Sequence, residues 1–308
     1  MTIIGRPRNV VGMTLSLLVS AIPIAIFLVV SFFNVASVPA AEVRMIYPEL
    51  EPEIGGKEVD WIYGDYLMKN DLISLTIAAP IRTRDANLTV RNVGAAILDL
   101  TLNAPSNDQL SAYIPAGGRY QFHDPSLVEI GKTERAVYWQ CKSSKSLTGD
   151  GSVATVRYSL ADGMPFVDVT VQIESDTADR MTAFDGVRAD NTFKTDLLGD
   201  VAHCSDAYFR QSIGFKSPAS GEALSWKKAR PLQLHYGAEQ VVRTGQTLSW
   251  ALQLYPATSQ IDLKHATRDS GDVPAMQTFR FAADAEVRDD FSFVKRGEVE
   301  IVEQGGSG

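Results

Sequence analysis

From residue 61 onward the chain alternates apolar and polar side chains with a period of two, the pattern of half-buried strands. Ile73, Leu75 and Ile77 share one face, with Ser74 and Thr76 between them, and Pro80 stops the run. Leu88-Thr89-Val90 predicts a short strand. Gly94 opens a second apolar run, 95–102, which places Ala96, Leu98, Leu100 and Leu102 on one side and Asp99 and Thr101 on the other. The clearest unit is a hairpin. Ala154, Val156, Tyr158 and Leu160 alternate with Thr155, Arg157 and Ser159; Asp162-Gly163 makes the turn; Val167, Val169, Val171 and Ile173 return with Asp168, Thr170 and Gln172 facing outward. One face is dry and the other wet, which suits an antiparallel sheet.

Further strands are predicted over 135–141, 207–215, 232–236, 247–255 and 276–282. In the fourth of these Leu248, Trp250, Leu252 and Leu254 share a face, which makes Trp250 a core residue, and Pro256 closes the strand. Only 177–181 and 196–202 suggest a turn of helix. Many strands, closely spaced turns and few helices predict an all-β fold, a large antiparallel two-layer β-sandwich of the supersandwich kind.

An N-terminal hydrophobic helix is predicted ahead of it. Arg6 and Arg8 precede residues 10–33, which are almost wholly apolar, and Ala36-Ser37-Val38-Pro39-Ala40-Ala41 follows. Basic, apolar and small residues in that order are the layout of a secretory signal, with cleavage before Ala41. The apolar run is also long enough to stay in a bilayer as an anchor, with Arg6 and Arg8 on the cytoplasmic side. Residues 1–41 are therefore read as signal peptide or signal anchor, and both readings place the domain outside the cytoplasm: secreted, periplasmic or membrane-anchored. Residues 42–60, with Pro48, Pro52 and Gly55-Gly56, read as a linker, and 61–282 as the sandwich. Residues 283–308 read either as an edge hairpin or as the start of a further β-module, with Gly305-Gly306-Ser307-Gly308 as a flexible tail.

The net charge of −8 argues against a nucleic-acid partner, and removing the leader's two arginines makes the remainder more acidic still. Cys141 and Cys204 could form a disulfide in an oxidising compartment; the other reading is two separate buried thiols. The chain has no phosphate-cradling P-loop, no H-E-x-x-H, no EF-hand loop, no G-x-S-x-G and no paired C-x-x-C, and no cofactor or metal is expected. His203-Cys204-Ser205-Asp206 carries three ligand types, but neighbours on a strand point to opposite faces. The remaining acid–base candidates are His123, beside Asp124, and His203; His235 is expected to face outward and His265 to be solvated. Among the aromatic residues, Trp226, next to Lys227-Lys228 in a polar stretch read as a loop, and Tyr120 are the candidates for ligand contact.

Asn70-Asp71-Leu72-Ile73-Ser74-Leu75-Thr76-Ile77, then Gly94-Ala95-Ala96-Ile97-Leu98-Asp99-Leu100, the hairpin over 153–173 and the strand over 248–256 together resemble the β-supersandwich of galactose-mutarotase-like domains. The resemblance covers roughly residues 60–260 and is one of pattern. It implies either a sugar epimerase, with histidines and a glutamate on one concave face, or a sugar-handling module attached to another enzyme. His123 and His203 sit in no matching motif, so fold alone does not carry the activity here. The function expected is an exported, non-catalytic β-sandwich that binds carbohydrate or another cell-envelope component, or serves as an accessory domain. The alternative is a sugar-active enzyme, epimerase or lyase-like, using histidine and carboxylate as acid and base.

Overall fold

The structure is a computed structural model that describes residues 40–85, 93–146, 149, 151–175, 185–189, 193–198, 201–206, 208–216, 226–230, 233–236, 247–260, 262–263, 286–287 and 293–294. The described residues all belong to the unit Ser37–Gly308.

Two antiparallel eight-stranded sheets make up the fold. The strands in chain order are β1 (Glu42–Met45), β2 (Tyr66–Lys69), β3 (Ile73–Ile77), β4 (Ile97–Leu102), β5 (Leu110–Ile114), β6 (Tyr120–Gln121), β7 (Val128–Lys132), β8 (Ala136–Lys142), β9 (Lys145–Ser146) and β10 (Val153–Ala161). They continue with β11 (Val167–Glu174), β12 (Asp185–Ala189), β13 (Phe193–Leu198), β14 (Val201–Asp206), β15 (Gln211–Lys216), β16 (Trp226–Arg230), β17 (Gln233–Tyr236), β18 (Thr247–Ala257), β19 (Glu286–Val287) and β20 (Phe293–Val294). The first sheet runs β1-β2-β3-β4-β5-β12-β17-β16 and the second β13-β14-β15-β18-β11-β10-β8-β7; β6 pairs with β9, and β19 with β20. Among the described residues no helix is long and apolar enough to cross a membrane; the apolar run 10–33 lies outside them.

The core lies between the sheets. The alternate apolar positions of β3, β8, β10, β11 and β18 meet there, as the period-two pattern requires. A row of rings crosses it: Tyr66 of the first sheet lies 5.6 Å from Trp139 of the second, Trp139 stacks on Tyr158 at 5.8 Å, and Tyr158 meets Tyr113 of the first sheet edge-on at 6.4 Å. The Tyr158 hydroxyl donates to the Ala95 carbonyl at 2.6 Å. Asp185 is fully buried in the same interior. Its Oδ2 accepts from the indole N–H of Trp250 at 2.7 Å and its Oδ1 from the Ala116 N–H at 2.8 Å, so one carboxylate ties the two sheets together.

Several expectations change. Residues 42–60 are not a bare linker. Residues 42–45 form β1, paired along its length with β2, and Ile46 and Ile54 pack with Leu67 against the outer side of the first sheet. The prolines and glycines there shape a cover: Gly56, at φ +142°, lies against Asp108, where a Cβ would sit 2.2 Å from the backbone nitrogen. The face assignment of 95–102 also fails halfway. A register shift opposite Thr76 and Ile77 turns Leu98 into a separate cluster with Ala78, Val93, Ala96 and Ala112, while Ile97 and Leu100 enter the main core. Residues 196–198 and 201–202 lie on the paired strands β13 and β14, not in a helical turn. Strand β18 runs through Pro256, which lies opposite Ile213, and ends at Ala257. Proline is tolerated so near the strand end.

The predicted segments 88–90, 177–181 and 276–282 lie outside the described residues.

Candidate functional site

The Asp162-Gly163 hairpin forms as read, with Gly163 at φ +67° and every strand position from Val153 to Ser159 in register with β11. That register decides what the wet side of the second sheet presents. One row runs Tyr138, Ser159, Asp168, Gln253, Lys216 across five strands. The adjacent row runs Glu129, Gln140, Arg157, Thr170, Ala251. Ser159 is a low side chain between Tyr138 and Asp168, and Thr170 and Ala251 continue the second row as low side chains beyond Arg157. All stand on strands whose other face is packed in the core, which fixes their backbones.

Two hydrogen-bonded groups flank this floor. On one side the Tyr255 hydroxyl donates to Gln253 Oε1 at 2.7 Å, and Gln253 Nε2 donates to Asp168 Oδ1 at 2.9 Å. The Phe166 ring lies 4.9 Å from that of Tyr255. Partial burial raises the Asp168 carboxyl above the ordinary range, and the Gln253 amide opposes the shift. On the other side the Tyr138 hydroxyl donates to Glu129 Oε1 at 2.5 Å, and Gln140 Nε2 approaches Glu129 Oε2 at 3.4 Å. This hydrogen bond to a carboxylate raises the Tyr138 hydroxyl, followed by desolvation.

The residues singled out from the sequence do not converge here. His203 stands on β14, in register with Asp196 and Gly214. It is buried, neither ring nitrogen has a hydrogen-bond partner among the described residues, and burial lowers its pKa more than Asp196 raises it. Cys204 beside it faces the core, as the strand parity requires. His123 follows β6, where its backbone N–H donates to Ser144 Oγ at 3.3 Å; burial and the charge of Arg82 lower its pKa. His235 lies on β17 of the first sheet, and His265 is outside the described residues. Tyr120 is buried in the core, its hydroxyl 2.9 Å from Ser152 Oγ. Trp226 is not in a loop: it lies on β16 at the edge of the first sheet, opposite Tyr236.

Cys141 and Cys204 are free and buried, which corrects the disulfide expectation. They occupy β8 and β14, with β15, β18, β11 and β10 between them. That is about 24 Å along the sheet, against the roughly 6 Å between Cα atoms that a disulfide spans. Burial pushes the Cys141 thiol up to about 12 and the Cys204 thiol further in the same direction. Among the described residues no group of three or more His, Cys, Asp or Glu side chains could hold a metal ion.

The outer side of the first sheet holds a second polar cluster, this one covered. Asp65 is fully buried and takes a fork of bonds from Arg84, at 2.8 Å from Nη2 and 3.0 Å from Nε, and Arg84 Nη2 also donates to the Asp60 carbonyl at 2.6 Å. Asp99 accepts from the Asp60 N–H at 2.7 Å and from the Thr76 hydroxyl. Asp108 Oδ1 accepts from the Leu100 N–H at 2.8 Å, while its Oδ2 is buried with no partner among the described residues. Desolvation pushes Asp99 up to about 7. Asp108 is raised well above its usual range by burial and then by the charge of Asp99. These groups lock the 46–65 cover onto the sheet and are closed to solvent.

The residues of the wet face were visible only as the polar half of an alternation. Arg157 and Asp168 were read as outward-facing, but nothing in one strand says which strands lie beside it. The signal that would have found the site is the pairing of β8, β10, β11 and β18.

No protein-family model and no curated protein matches the chain. Solved structures do. A TPR-domain containing protein from Parabacteroides distasonis matches with a TM-score of 0.50 and 9% identity, covering 67% of this chain and 49% of that one. The chain thus spans about half the length of that protein. A galactose mutarotase-like protein from Lactobacillus casei matches with a TM-score of 0.39 and 11% identity over 63% of this chain and 100% of the other. A galactose mutarotase related enzyme from Lactobacillus acidophilus gives 0.38 and 8% over 64% and 98%. At such identities the likeness is one of fold. The chain is an all-β protein of two large antiparallel sheets, and galactose mutarotase-like proteins are among its structural neighbours.

Proposed function

We propose that this protein is a non-catalytic carbohydrate-binding β-sandwich acting at the cell envelope, and that the saccharide lies across the wet face of the second sheet. The observation that carries the reading is the pair of hydrogen-bonded groups on this face, Tyr255, Gln253 and Asp168 on β18 and β11, and Tyr138, Gln140 and Glu129 on β8 and β7, with β10 between them. Sugar hydroxyls need both donors and acceptors held in fixed directions. Amides and carboxylates already oriented by one another supply them with little further ordering on binding. The histidines support binding over acid–base turnover: His123 follows β6, His203 stands on the second sheet and His235 on the first, whereas proton transfer needs groups within reach of one reacting centre.

Export completes the proposal and rests on the leader: a basic start, the apolar run 10–33 and the small residues before Ala41. Mass spectrometry of the mature protein reads it. A new N-terminus at Ala41 means release, an intact Met1 in the membrane fraction means an anchor, and an intact chain in the cytosol contradicts export.

The binding reading is tested by titrating the protein with a panel of oligosaccharides and analysing the mixtures afterwards. The expected result is saturable binding with the saccharides recovered unchanged. Conversion of a bound sugar would replace this reading with the sugar-active enzyme.

A further inference from the structure

Arg157 stands in the middle of the wet face with an arrangement that neither packing nor ion pairing requires. Its guanidinium carbon lies 3.7 Å from the centroid of the Tyr138 ring, which is stacking distance. The ring is fixed in turn. Gly131 lies opposite it on β7, where a Cβ would be 2.3 Å from the ring, so glycine lets the ring press against the strand. The hydroxyl end is held by Glu129.

The nearby acid is already engaged. Glu129 takes Tyr138 on one oxygen and Gln140 on the other. Among the described residues Arg157 has no carboxylate within ion-pair distance and no hydrogen-bond partner. The stack leaves the edges of the guanidinium plane, which carry its five N–H donors, free. A planar, weakly hydrated cation with its fork open is suited to bidentate capture of a carboxylate or sulfate. The protein as a whole carries a net charge of −8, so a general attraction for anions cannot account for such a site. Thr170 beside Arg157, and Ser159 and Asp168 in the next row, provide hydroxyl and carboxylate groups for the rest of a sugar ring.

We propose that Arg157, held flat on Tyr138, is the oxyanion-binding residue of this face, and that the saccharide bound there carries a carboxylate or a sulfate ester. This rests on the carbohydrate-binding reading above and narrows its ligand class.

The test is calorimetric titration with matched pairs: an oligogalacturonate against its methyl ester, and a sulfated galactan oligosaccharide against its desulfated form. In the wild type the acidic member of at least one pair binds about tenfold or more tighter, the scale of a charge-assisted pair. The pair that discriminates identifies the anion. Arg157→Gln removes the preference, bringing the acidic member to the affinity of the neutral one. Arg157→Lys, which keeps the charge and loses the planar fork, retains only a small part of it. Tyr138→Leu keeps the arginine without its platform and lowers the advantage of the acidic member over the neutral one. Near-ultraviolet circular dichroism of each variant confirms the fold. Equal affinity for acidic and neutral members in the wild type overturns the inference and leaves the carbohydrate reading standing. A preference that survives in Arg157→Gln also overturns it. No binding of any of the four saccharides overturns both.

Discussion

Asp99 and Asp108 show how far a side chain can depart from its apparent role. Period-two parity placed Asp99 opposite Leu100, on the face where a carboxylate would normally meet water. It is instead fully buried, because residues 46–65 close over that face. Glu58, Asp60 and Asp65 add negative charge around the pair, and hydrogen bonds from Thr76 and Leu100 only partly offset the desolvation. In the unfolded chain both carboxyls ionise near pH ~3.9. The folded protein therefore keeps protons that the unfolded chain has released, and stability from this source is full below about pH 4. It is lost as pH rises through about 7, the folded value of Asp99. Asp185, raised to about 6 by burial between the sheets, acts in the same direction. The urea midpoint is expected to fall between pH 5 and pH 8 by an amount worth a few kcal/mol, on the order of three times 1.4. Asp99→Asn should flatten that slope. A midpoint that rises over this interval, with the same slope in the variant, would refute the assignment.

Among the elements, strands whose two faces differ most in polarity were the most legible. The β10–β11 hairpin forms as the alternation and the Asp162-Gly163 turn dictate, because each wrong register would expose a valine row. The apolar run 95–102 locates strand β4, which begins only at Ile97, but not its facing, since its irregularity opposite Thr76 and Ile77 leaves no mark in an apolar run. Strand β1 was missed because four residues give too short an alternation beside prolines and glycines. Gly94, read as the opening of β4, has a more specific role. A Cβ there would lie 2.2 Å from the Phe122 carbonyl oxygen, and a backbone atom cannot swing aside as a side chain would. Gly94→Ala is therefore expected to destabilise the domain by about 2–3 kcal/mol or more. Chemical denaturation measures this, and a variant as stable as the wild type would mean that the approach of these two segments is not fixed.

At the scale of the whole molecule, the two-layer all-β architecture follows from strand number and parity, whereas the candidate site depends on which strands become neighbours. Tyr138, Arg157, Asp168 and Gln253 come from four strands spread over more than a hundred residues of sequence, and pairing alone brings them into two rows. The same pairing separates the histidines and the two cysteines that the sequence had offered as chemistry. What the fold provides is one sandwich face of oriented amides, carboxylates and a stacked guanidinium, backed by a dry core. The most direct measurement is saccharide affinity of the wild type against Gln253→Ala, a change on the wet face that removes the amide joining Tyr255 to Asp168. Saturable binding by the wild type and a loss of about tenfold or more in the variant are expected, the scale of a hydrogen-bonding network removed from a site. Undiminished binding by Gln253→Ala, or no saccharide binding by the wild type, would contradict the binding reading.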